Sequence, residues 1–373
     1  MNALLQGVMS LQPKQIIMWC IGGFLIYLAI KKDFEPALLL PMGFGAILVN
    51  IPMSGALDQL INGTKAEGIL NLLFRNGIAT ELFPLLIFIG IGAMIDFGPL
   101  LQNPSMLFFG AAAQFGIFFT ICIATLFGFD LRHAAAIGII GAADGPTSIF
   151  VASRFAQDMI GPITVAAYSY MSLVPVIQPF AIKLVTTKEE RKIRMTYKSE
   201  NVSKKTRILF PIFVTIIAGL IAPASVSLIG FLMFGNLLRE CKVLERLSQS
   251  AQNELVNIVT ILLGITIACT MQADKFLTLQ TGIIILMGLI AFIADTIGGV
   301  LFAKFINLFR KEKINPMIGA AGISAFPMSA RVIQKMAQKE DNQNFILMYA
   351  VGANVAGQIA SVIAGGMVLA LIH

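Results

Sequence analysis

The chain has 373 residues, of which 57% are hydrophobic and 13% charged, and its net charge is +7. Soluble domains carry about twice this share of charged residues, so the composition disfavours a soluble enzyme, a disordered chain and a nucleic-acid-binding protein. The four cysteines and two histidines are too widely spaced for a disulfide framework or a metal-ligand cluster, and we expect an integral membrane protein with an all-α fold.

The N-terminal residues 1–13 lack the charged start, apolar core and cleavage site of a signal peptide, and we expect a short interfacial helix there. A membrane core of ~30 Å requires ~20 apolar residues per spanning helix. The stretch 54–80 is too polar to span. The sequence predicts about ten spans, over residues 15–30, 36–53, 81–95, 105–127, 160–185, 208–222, 224–238, 254–271, 282–305 and 344–372.

Two further apolar segments, residues 133–153 and 315–335, contain glycine and proline residues that interrupt a helix. A broken helix leaves backbone carbonyl and amide groups that lipid cannot satisfy, so it is tolerated only where it faces protein or a cavity. We expect each of these two broken segments to enter and leave the membrane on one side, as a re-entrant segment.

A hydrophilic loop over residues 186–207 separates two apolar halves, residues 1–185 and 208–373. The loop holds eight basic and three acidic residues and so carries +5 of the net charge. In a hydrophobic chain, such an excess indicates the cytoplasmic side rather than a nucleic-acid site. The basic residues within 31–32 and 304–313 are expected on the same side, with the first span starting outside and the last ending outside.

The two halves share a short sequence pattern. Residues 140–143, Ile-Gly-Ala-Ala, recur at residues 318–321, and each copy lies in one of the broken segments. Tyr170 and Tyr349 follow the two copies at nearly the same distance. With the loop cytoplasmic, corresponding spans run in opposite directions. The pattern predicts an inverted-topology repeat, as in many secondary transporters, with a binding site near the midplane at the broken segments.

The most informative local feature is an aspartate at a predicted helix break, in Gly141-Ala-Ala-Asp-Gly-Pro-Thr-Ser148. A carboxylate at bilayer depth costs at least ~2.5–3.5 kcal/mol, so we expect Asp144 to face a cavity and a partner. Freed carbonyl groups and the hydroxyl groups of Thr147 and Ser148 would supply further oxygen ligands for a hard cation such as Na⁺. The alternative is that Asp144 only caps a helix terminus.

The second broken segment contains no acidic residue but offers Asn315, Ser324 and Arg331. Two interpretations of Arg331 are open. In the first, Arg331 acts in the site, as a buried counter-charge to Asp144 or by binding an anionic substrate. In the second, its side chain extends to the surface beside Lys335.

Three more polar residues lie within long apolar spans. Tyr170 and Asn354 follow the two breaks, where each is either hydrogen-bonded packing or part of the site. Asp295 is a second intramembrane acid, and it is either a proton or ion ligand or a structural pairing. The sequence contains no Gly-rich phosphate-binding motif, so we expect transport to be driven by a gradient or by a partner.

Several motifs, in order along nearly the whole chain, resemble the beta subunit of the Na⁺-translocating, biotin-dependent decarboxylases. The motifs are residues 141–147 (Gly-Ala-Ala-Asp-Gly-Pro-Thr), 168–175 (Tyr-Ser-Tyr-Met-Ser-Leu-Val-Pro), 315–316 with 322–328 and Arg331, and 352–357 (Gly-Ala-Asn-Val-Ala-Gly). Two earlier stretches, residues 36–46 and 86–90, also fit this family.

The resemblance implies a subunit of a complex in the bacterial cytoplasmic membrane. A carboxyltransferase alpha subunit moves a carboxyl group from an organic acid or CoA ester to biotin on a carrier subunit, and a small membrane gamma or delta subunit accompanies them. The beta subunit decarboxylates the carboxybiotin and exports Na⁺. An elevator-type fold and a homotrimer are also implied. The chain is short for the family, which favours the CoA-ester enzymes.

The same resemblance implies roles for particular residues. Asp144 is associated with Na⁺ binding and coupling, and Arg331 with the carboxylate of carboxybiotin. The Na⁺ ligands are expected to be Asp144, Asn315, Ser324 and Asn354, and the residues acting in catalysis Asp144, Tyr170 and Arg331. Two other functional classes stay open from the residues alone: a stand-alone Na⁺/H⁺ antiporter or Na⁺–carboxylate symporter, and a non-catalytic membrane anchor.

Overall fold

The structure is a computed structural model that describes residues 7–32, 34–61, 64–195 and 202–372. For residues 60, 61, 64 and 65 only the backbone is described. The predicted interfacial helix over residues 1–13 and the basic loop over residues 186–207 therefore fall partly outside the described residues.

The first half of the chain is helical, apart from one antiparallel hairpin of β1 (Gln59–Ile61) and β2 (Thr64–Ala66). A π-helical turn, Phe74–Ile78, extends α3, and 3₁₀ turns at Ile139–Ala142 and Gln157–Met159 follow α8 and precede α10. The helices are α1 (Pro13–Lys32), α2 (Pro36–Val49), α3 (Ile69–Leu73), α4 (Leu82–Met94), α5 (Gly98–Gln102), α6 (Met106–Ala112), α7 (Phe115–Leu126), α8 (Leu131–Gly138), α9 (Gly145–Phe155), α10 (Ile160–Ser172) and α11 (Val174–Val185).

The second half is also helical. A π-helical turn, Ala251–Leu255, joins α15 to α16, and 3₁₀ turns lie at Pro223–Ser225 and Ala268–Thr270. The helices are α12 (Lys188–Arg191), α13 (Lys204–Ile221), α14 (Val226–Cys241), α15 (Glu245–Ser250), α16 (Val256–Ile267), α17 (Ala273–Phe276), α18 (Leu279–Phe309), α19 (Met317–Ala320), α20 (Met328–Glu340) and α21 (Leu347–Leu371).

Fewer helices can span a membrane than the sequence predicts. By length and composition, six stretches of the described residues qualify, or eight if two bent pairs each count as one span. The predicted ten is too high because α2, with 14 residues, reaches only about 21 Å, and because α13 has three basic residues in its first turn. The six are Pro13–Lys32, Met106–Leu126, Pro223–Cys241, Glu245–Thr270, Leu279–Phe309 and Leu347–Leu371.

The predicted span over residues 160–185 is two helices rather than one. The axes of α10 and α11 differ by 73° at Leu173. Pro175 lies in the first turn of α11, and it lacks the N–H that would continue the hydrogen bonding of α10. A bend of 58° likewise separates the helical stretch Ile69–Ile78 from α4.

The helices pack as two groups, and each group takes helices from both halves of the chain. The first group comprises α1, α2, α4, α13, α14 and α16, and the second comprises α6 to α11 and α18 to α21. The groups meet where α9 contacts α4 and where α21 contacts the turn Pro223–Ser225. Helix α18, with 31 residues and a length of about 46 Å, lies at the centre of the second group and packs against most of its other helices. Both broken segments lie in this second group.

The start of the basic loop is fixed to the second group by Arg191. The Arg191 side chain is 7% exposed, and its Nε donates to Glu340 Oε1 at 2.9 Å while Nη1 donates to Thr186 O at 2.8 Å. The guanidinium group holds the pKa of Glu340 below its usual range. Because Glu340 ends α20, this contact ties the loop between the two halves to the second broken segment.

We predict that Arg191→Gln lowers the free energy of unfolding by about 1–3 kcal/mol, because Glu340 and the Thr186 carbonyl lose a charged donor. The difference from the parent should shrink as the pH falls from 4.5, the ordinary pKa of Glu340 in the unfolded chain, through its lower pKa in the folded protein, because the unfolded chain takes up a proton first. Thermal unfolding in detergent measures it. Lys192→Gln is the control, since Lys192 is exposed and pairs with an exposed Glu189. An equal effect of both substitutions would contradict the anchoring role.

Candidate functional site

The first broken segment changes direction at Ala143 and Asp144. The turn Ile139–Ala142 ends there, Ala143 adopts the left-handed conformation with a φ of 53°, and α9 begins at Gly145. Pro146 occupies the first turn of α9, where its missing N–H costs no hydrogen bond. The predicted helix break at this motif is therefore confirmed.

The carboxyl group of Asp144 is buried and accepts hydrogen bonds from two hydroxyl groups. Its Oδ2 accepts from Thr147 Oγ1 at 2.7 Å and from Ser361 Oγ at 2.8 Å. Its Oδ1 accepts from the Thr147 backbone N–H at 3.3 Å, so Asp144 also caps α9. A carboxylate offers about four acceptor positions, and these three bonds leave room for a further ligand. Capping a helix and binding a cation are therefore compatible roles here.

The two broken segments meet in the fold. The Ser324 backbone N–H donates to Ala142 O at 2.9 Å, which joins the second segment directly to the first. The Ser324 hydroxyl group donates to Gly357 O, also at 2.9 Å. Since α19 ends at Ala320 and α20 begins at Met328, the backbone around Ser324 is outside helix. The two breaks predicted from the sequence thus lie at one place.

Helix α21 directs three polar side chains at the broken segments. Asn354 Nδ2 donates to Ile323 O at 2.6 Å, Gln358 Nε2 donates to Ser324 O, and Ser361 donates to the carboxylate as described. Their spacing of four and three residues puts them on one helix face. Among the described residues, no hydrogen-bond donor reaches the buried Oδ1 of Asn354 or Oε1 of Gln358. Such orphaned oxygens are available to a cation.

These contacts define the Asp144 group. It contains one acid together with hydroxyl and amide oxygens, and no set of three His, Cys, Asp or Glu side chains in the described part of the chain is arranged to hold a metal ion. Oxygen ligands suit hard cations, and one carboxylate balances one positive charge. The group consists of Asp144, Thr147, Ser324, Asn354, Gln358 and Ser361.

Two close glycine contacts allow these elements to touch. A Cβ atom added at Gly357 would lie 2.2 Å from Gly322 O, and one added at Gly322 would lie 2.3 Å from Phe109 O. Any larger residue would push α21 or α6 away from the second broken segment. Backbone-to-backbone packing of this kind is common between membrane helices. It fixes the distance at which Asn354 and Gln358 reach the irregular backbone.

Two tyrosines of α10 point to opposite sides, because residues two apart in a helix lie about 200° apart. The Tyr170 hydroxyl group donates to Ile285 O, and its ring lies against Gly288 of α18. The Tyr168 ring instead lies against Gly145, the residue after Asp144. The structure therefore brings Tyr168 next to the Asp144 group and directs Tyr170 to α18.

Asn315 holds the loop between the halves. Its Nδ2 donates to Arg191 O and to Ile193 O, each at 2.9 Å, and its Oδ1 accepts from the Met317 backbone N–H at 3.1 Å. Asn344 Nδ2 donates to the same two loop carbonyls. The predicted ligand Asn315 thus has its amide occupied at the base of the second broken segment.

Arg331 is exposed and lines a cleft of about 610 Å³. Of the two interpretations left open by the sequence, the structure shows the surface position beside Lys335, and Arg331 is not a buried counter-charge to Asp144. Arg331 and Lys335 are four residues apart in α20, so they lie on the same exposed face of that helix.

The cleft around Arg331 is positively charged. Its acidic lining residue, Glu340, is already paired with Arg191. A concave surface with an excess of one charge raises the local concentration of ions of the opposite charge, so this cleft attracts anions. The basic lining residues are Lys183, Arg331, Lys335 and Lys339.

Asp295 lies in the middle of α18 and is fully buried. Its carboxyl group lies against the first turn of α7, at Gly116, and against Gly141 of the first broken segment. A helix N-terminus stabilises a negative charge by about 0.3–1 kcal/mol, or at most ~2 kcal/mol, whereas an acid at bilayer depth costs at least ~2.5–3.5 kcal/mol. The contact with α7 therefore does not compensate an ionised Asp295.

The sequence interpretation missed three residues of this region. Gln358 and Ser361 follow Asn354 at helical spacing, and this polar face in an otherwise apolar helix is the signal that identifies them. Tyr168 lies in the same motif as Tyr170, residues 168–175, and the sequence offers no signal that separates the two.

Comparison with known proteins gives consistent similarities over nearly the whole chain. The family model of the Na⁺-transporting oxaloacetate decarboxylase beta subunit matches residues 14–372. The glutaconyl-CoA decarboxylase subunit beta of Acidaminococcus fermentans is 51% identical, over 95% of this chain and 92% of its own length. The methylmalonyl-CoA decarboxylase subunit beta of Propionigenium modestum is 48% identical, over 98% and 96%. The oxaloacetate decarboxylase beta chain of Klebsiella pneumoniae is 45% identical, over 99% and 98%.

We predict that Ser361→Ala weakens Na⁺ binding about tenfold, because Asp144 Oδ2 loses one of its two hydroxyl donors and the geometry of the group relaxes. The measurement is the rise in melting temperature when Na⁺ replaces choline, which reports ligand binding to the folded state. The matched control is Ser153→Ala: Ser153 is also buried, but its hydroxyl group donates to Phe150 O. Equal stabilisation of both variants by Na⁺ would contradict the predicted contribution of Ser361 to Na⁺ binding.

Proposed function

The chain belongs to the family of Na⁺-transporting oxaloacetate decarboxylase beta subunits, and on this premise we propose that it decarboxylates carboxybiotin delivered by a partner subunit and couples the reaction to outward Na⁺ transport. The resemblance drawn from the sequence motifs is thereby confirmed. The relatives are beta subunits of decarboxylases named for different substrates, so the acid or CoA ester is selected by another subunit.

Na⁺ binds in the Asp144 group. The observation that carries this assignment is the buried Asp144 carboxylate, which two hydroxyl groups hold beside the amide oxygens of Asn354 and Gln358; among the described residues the carboxylate has no basic partner and these oxygens have no donor. Broken helices that offer irregular backbone and a carboxylate near the midplane are the sites where transporters bind Na⁺. Asp144, Ser324 and Asn354 are proposed ligands, with Gln358 and Ser361 added from their contacts.

Tyr170 and Asn315 take less direct parts in this proposal. Each has its polar group bound to backbone carbonyl oxygens outside the Asp144 group, Tyr170 to Ile285 and Asn315 to the loop. In this conformation Asn315 fixes the base of the second broken segment, and Tyr170 joins α10 to α18. We propose that either residue becomes a ligand or proton relay only after these contacts break.

The basic cleft receives the carboxybiotin of a partner subunit from the cytoplasmic side. Its fit rests on charge: an anionic carboxylate meets Arg331, whose planar fork of donors matches a carboxylate, and three neighbouring lysines raise the local concentration of anions. Biotin itself is carried on the partner and is not attached covalently to this chain.

The reaction consumes a proton. The N–COO⁻ group of carboxybiotin and one proton become N–H and CO₂; the bond between nitrogen and the carboxyl carbon breaks, and its electron pair stays on nitrogen and takes the proton. Moving one positive charge against 100 mV costs ~2.3 kcal/mol, so a modestly exergonic decarboxylation exports only about one or two Na⁺ ions.

Movement of the second helix group against the first would carry Na⁺ across the membrane. Both broken segments and the Asp144 group lie in the second group, and each group draws helices from both halves of the chain. This arrangement supports an inverted-topology repeat of residues 1–185 and 208–373 that works as an elevator. The loop of residues 186–207 is proposed to lie in the cytoplasm of a bacterium.

The proposed complex contains a carboxyltransferase alpha subunit, a biotin carrier subunit and a small gamma or delta subunit. The chain itself is proposed to form a homotrimer in the cytoplasmic membrane. A stand-alone Na⁺/H⁺ antiporter or Na⁺–carboxylate symporter is the competing account, and it predicts transport without any biotinylated partner.

We predict that Asp144→Asn abolishes both Na⁺ transport and Na⁺-stimulated decarboxylation by the complex, because the amide keeps the size of the side chain but cannot balance the charge of Na⁺. Uptake of ²²Na⁺ into proteoliposomes and release of CO₂ measure the two activities. Asp96→Asn is the control, since Asp96 is about half exposed and pairs with Arg207. Retention of Na⁺-stimulated turnover by Asp144→Asn would contradict the proposal that Asp144 binds the transported Na⁺.

We predict that Arg331→Gln lowers kcat/KM for carboxybiotin by about 10- to 100-fold, because a hydrogen-bonded charge contributes roughly 1.5–3 kcal/mol. Na⁺ binding, measured by the melting-temperature shift, should stay unchanged. Lys275→Gln, which changes an exposed lysine outside the cleft, provides the control. Loss of Na⁺ binding with normal carboxybiotin kinetics would show that Arg331 serves another purpose.

A further inference from the structure

Asp295 is an intramembrane acid that the proposed Na⁺ site does not use. It is fully buried in α18, and no hydrogen-bond donor in the described part of the chain completes a bond to either carboxyl oxygen. The backbone N–H groups of Gly116 and Ile117, in the first turn of α7, lie against the carboxyl group without closing such a bond. The unpartnered acid therefore faces the end of another helix.

Gly116 and Gly141 lie against the carboxyl group of Asp295, and on the two sides that they cover there is no room for a metal ion or a water molecule. A Cβ atom added at Gly116 would lie 2.3 Å from Oδ1, and one added at Gly141 would lie 2.8 Å from Oδ2. The two glycines thus leave no space for a side chain next to the carboxyl oxygens. Na⁺ needs several oxygen ligands around it, whereas a proton occupies no additional volume. On the two sides that Gly116 and Gly141 cover, a proton is the one ligand of the proposed reaction that fits.

The charged and titratable groups on neighbouring elements do not neutralise Asp295. The elements packed against α18 are α6, α7, α8 with its 3₁₀ turn, α10, α11 and α19. Tyr170 bonds to Ile285, His133 bonds to Asp130 and Asp158, and Lys304 on α18 itself pairs with Glu190. The remaining groups on these elements are Cys122, Arg132, Tyr168 and Lys183, none of which is bonded to Asp295 in the described structure.

We propose that Asp295 is a second proton-binding site: its carboxyl group holds a proton in this conformation and releases it when α18 moves relative to α7 and the first broken segment. An ionised carboxyl group would need a donor or water, and the helix end alone does not compensate it. Release therefore requires that Gly116 and Gly141 separate from the acid. Because Gly141 precedes Asp144 by three residues, the same movement alters the Na⁺ site.

This inference rests on the proposed function for one point only, the fate of the proton. Decarboxylation of carboxybiotin requires a proton, and a pump must keep that proton apart from Na⁺. Asp144 accepts hydrogen bonds from hydroxyl groups and lies among oxygens without donors in the described structure, whereas glycine backbone covers Asp295 on two sides. The two acids therefore bind different ions: Asp144 binds Na⁺ and Asp295 binds the proton.

Infrared difference spectroscopy tests the proton directly, because protonated and ionised carboxyl groups absorb at different frequencies. We would use the Asp144→Asn background, which removes the other buried acid of the site, and compare it with Asp144→Asn/Asp295→Asn at neutral pH. The expected result is a protonated-carboxyl band that the second substitution removes and that Na⁺ in place of choline leaves unchanged. No loss of band intensity, or a band that Na⁺ abolishes, would overturn the proposal. Asp295→Ser, which is smaller and also lacks the carboxyl group, replaces Asp295→Asn if that variant does not fold.

Turnover of the whole complex tests release of the proton. Asp295→Asn should lower Na⁺-stimulated decarboxylation at least tenfold while the Na⁺-induced shift in melting temperature stays the same. Wild-type turnover in the variant from pH 6 to pH 8 would refute proton release at Asp295. If the wild-type complex itself showed no Na⁺-stimulated turnover, the proposed function would fail, and the infrared result would still decide whether Asp295 binds a proton.

Discussion

A carboxyl group at bilayer depth has to be compensated by its neighbours, and the arrangement around Asp144 follows from this requirement. The cost of burial is at least ~2.5–3.5 kcal/mol, and a hydrogen bond to a charged group contributes roughly 1.5–3 kcal/mol. The two hydrogen bonds from the hydroxyl groups of Thr147 and Ser361 together therefore offset about the whole cost of burying the carboxylate. They supply no positive charge, however. In the proposed function, a bound Na⁺ would supply this positive charge and complete the balance.

Satisfying Asp144 also requires the rest of the second helix group. Ser361 belongs to α21, and α21 comes close enough only because Gly357 lets it touch the second broken segment at Gly322. That segment in turn bonds to the first one through Ser324 and Ala142. The Asp144 group, which is the proposed Na⁺ site, thus forms one packed unit with both breaks and α21. Movement of this unit against the first group would carry the site without dismantling it, which is what an elevator requires.

Part of this arrangement could be predicted from the sequence, and the physical reasons for the remainder are specific. The break at Asp144 was predictable because Gly-Pro stops a helix locally, and the resemblance to the family rests on such local motifs. Ser361 and Gln358 were missed because a lone hydroxyl or amide in an apolar helix is usual packing, and only the fold gives it a partner. Tyr168 and Tyr170 are two residues apart, so which one faces the site depends on the rotation of α10. The number of spans was overestimated because α2 is short and because α13 begins with three basic residues that the predicted span over residues 208–222 leaves out. Hydropathy also does not report the bend at Leu173 within one predicted span.

The central claim is that this chain couples decarboxylation to Na⁺ movement within a biotin-dependent complex. The most direct measurement is to purify the chain from its native membrane, reconstitute the eluate in vesicles, and follow ²²Na⁺ uptake and CO₂ release with glutaconyl-CoA, methylmalonyl-CoA and oxaloacetate in turn. The account predicts a co-eluting biotinylated subunit and Na⁺ uptake driven by one of these substrates and blocked by avidin. A chain that elutes without biotin and moves Na⁺ in exchange for protons, with no response to any of the three, would contradict it.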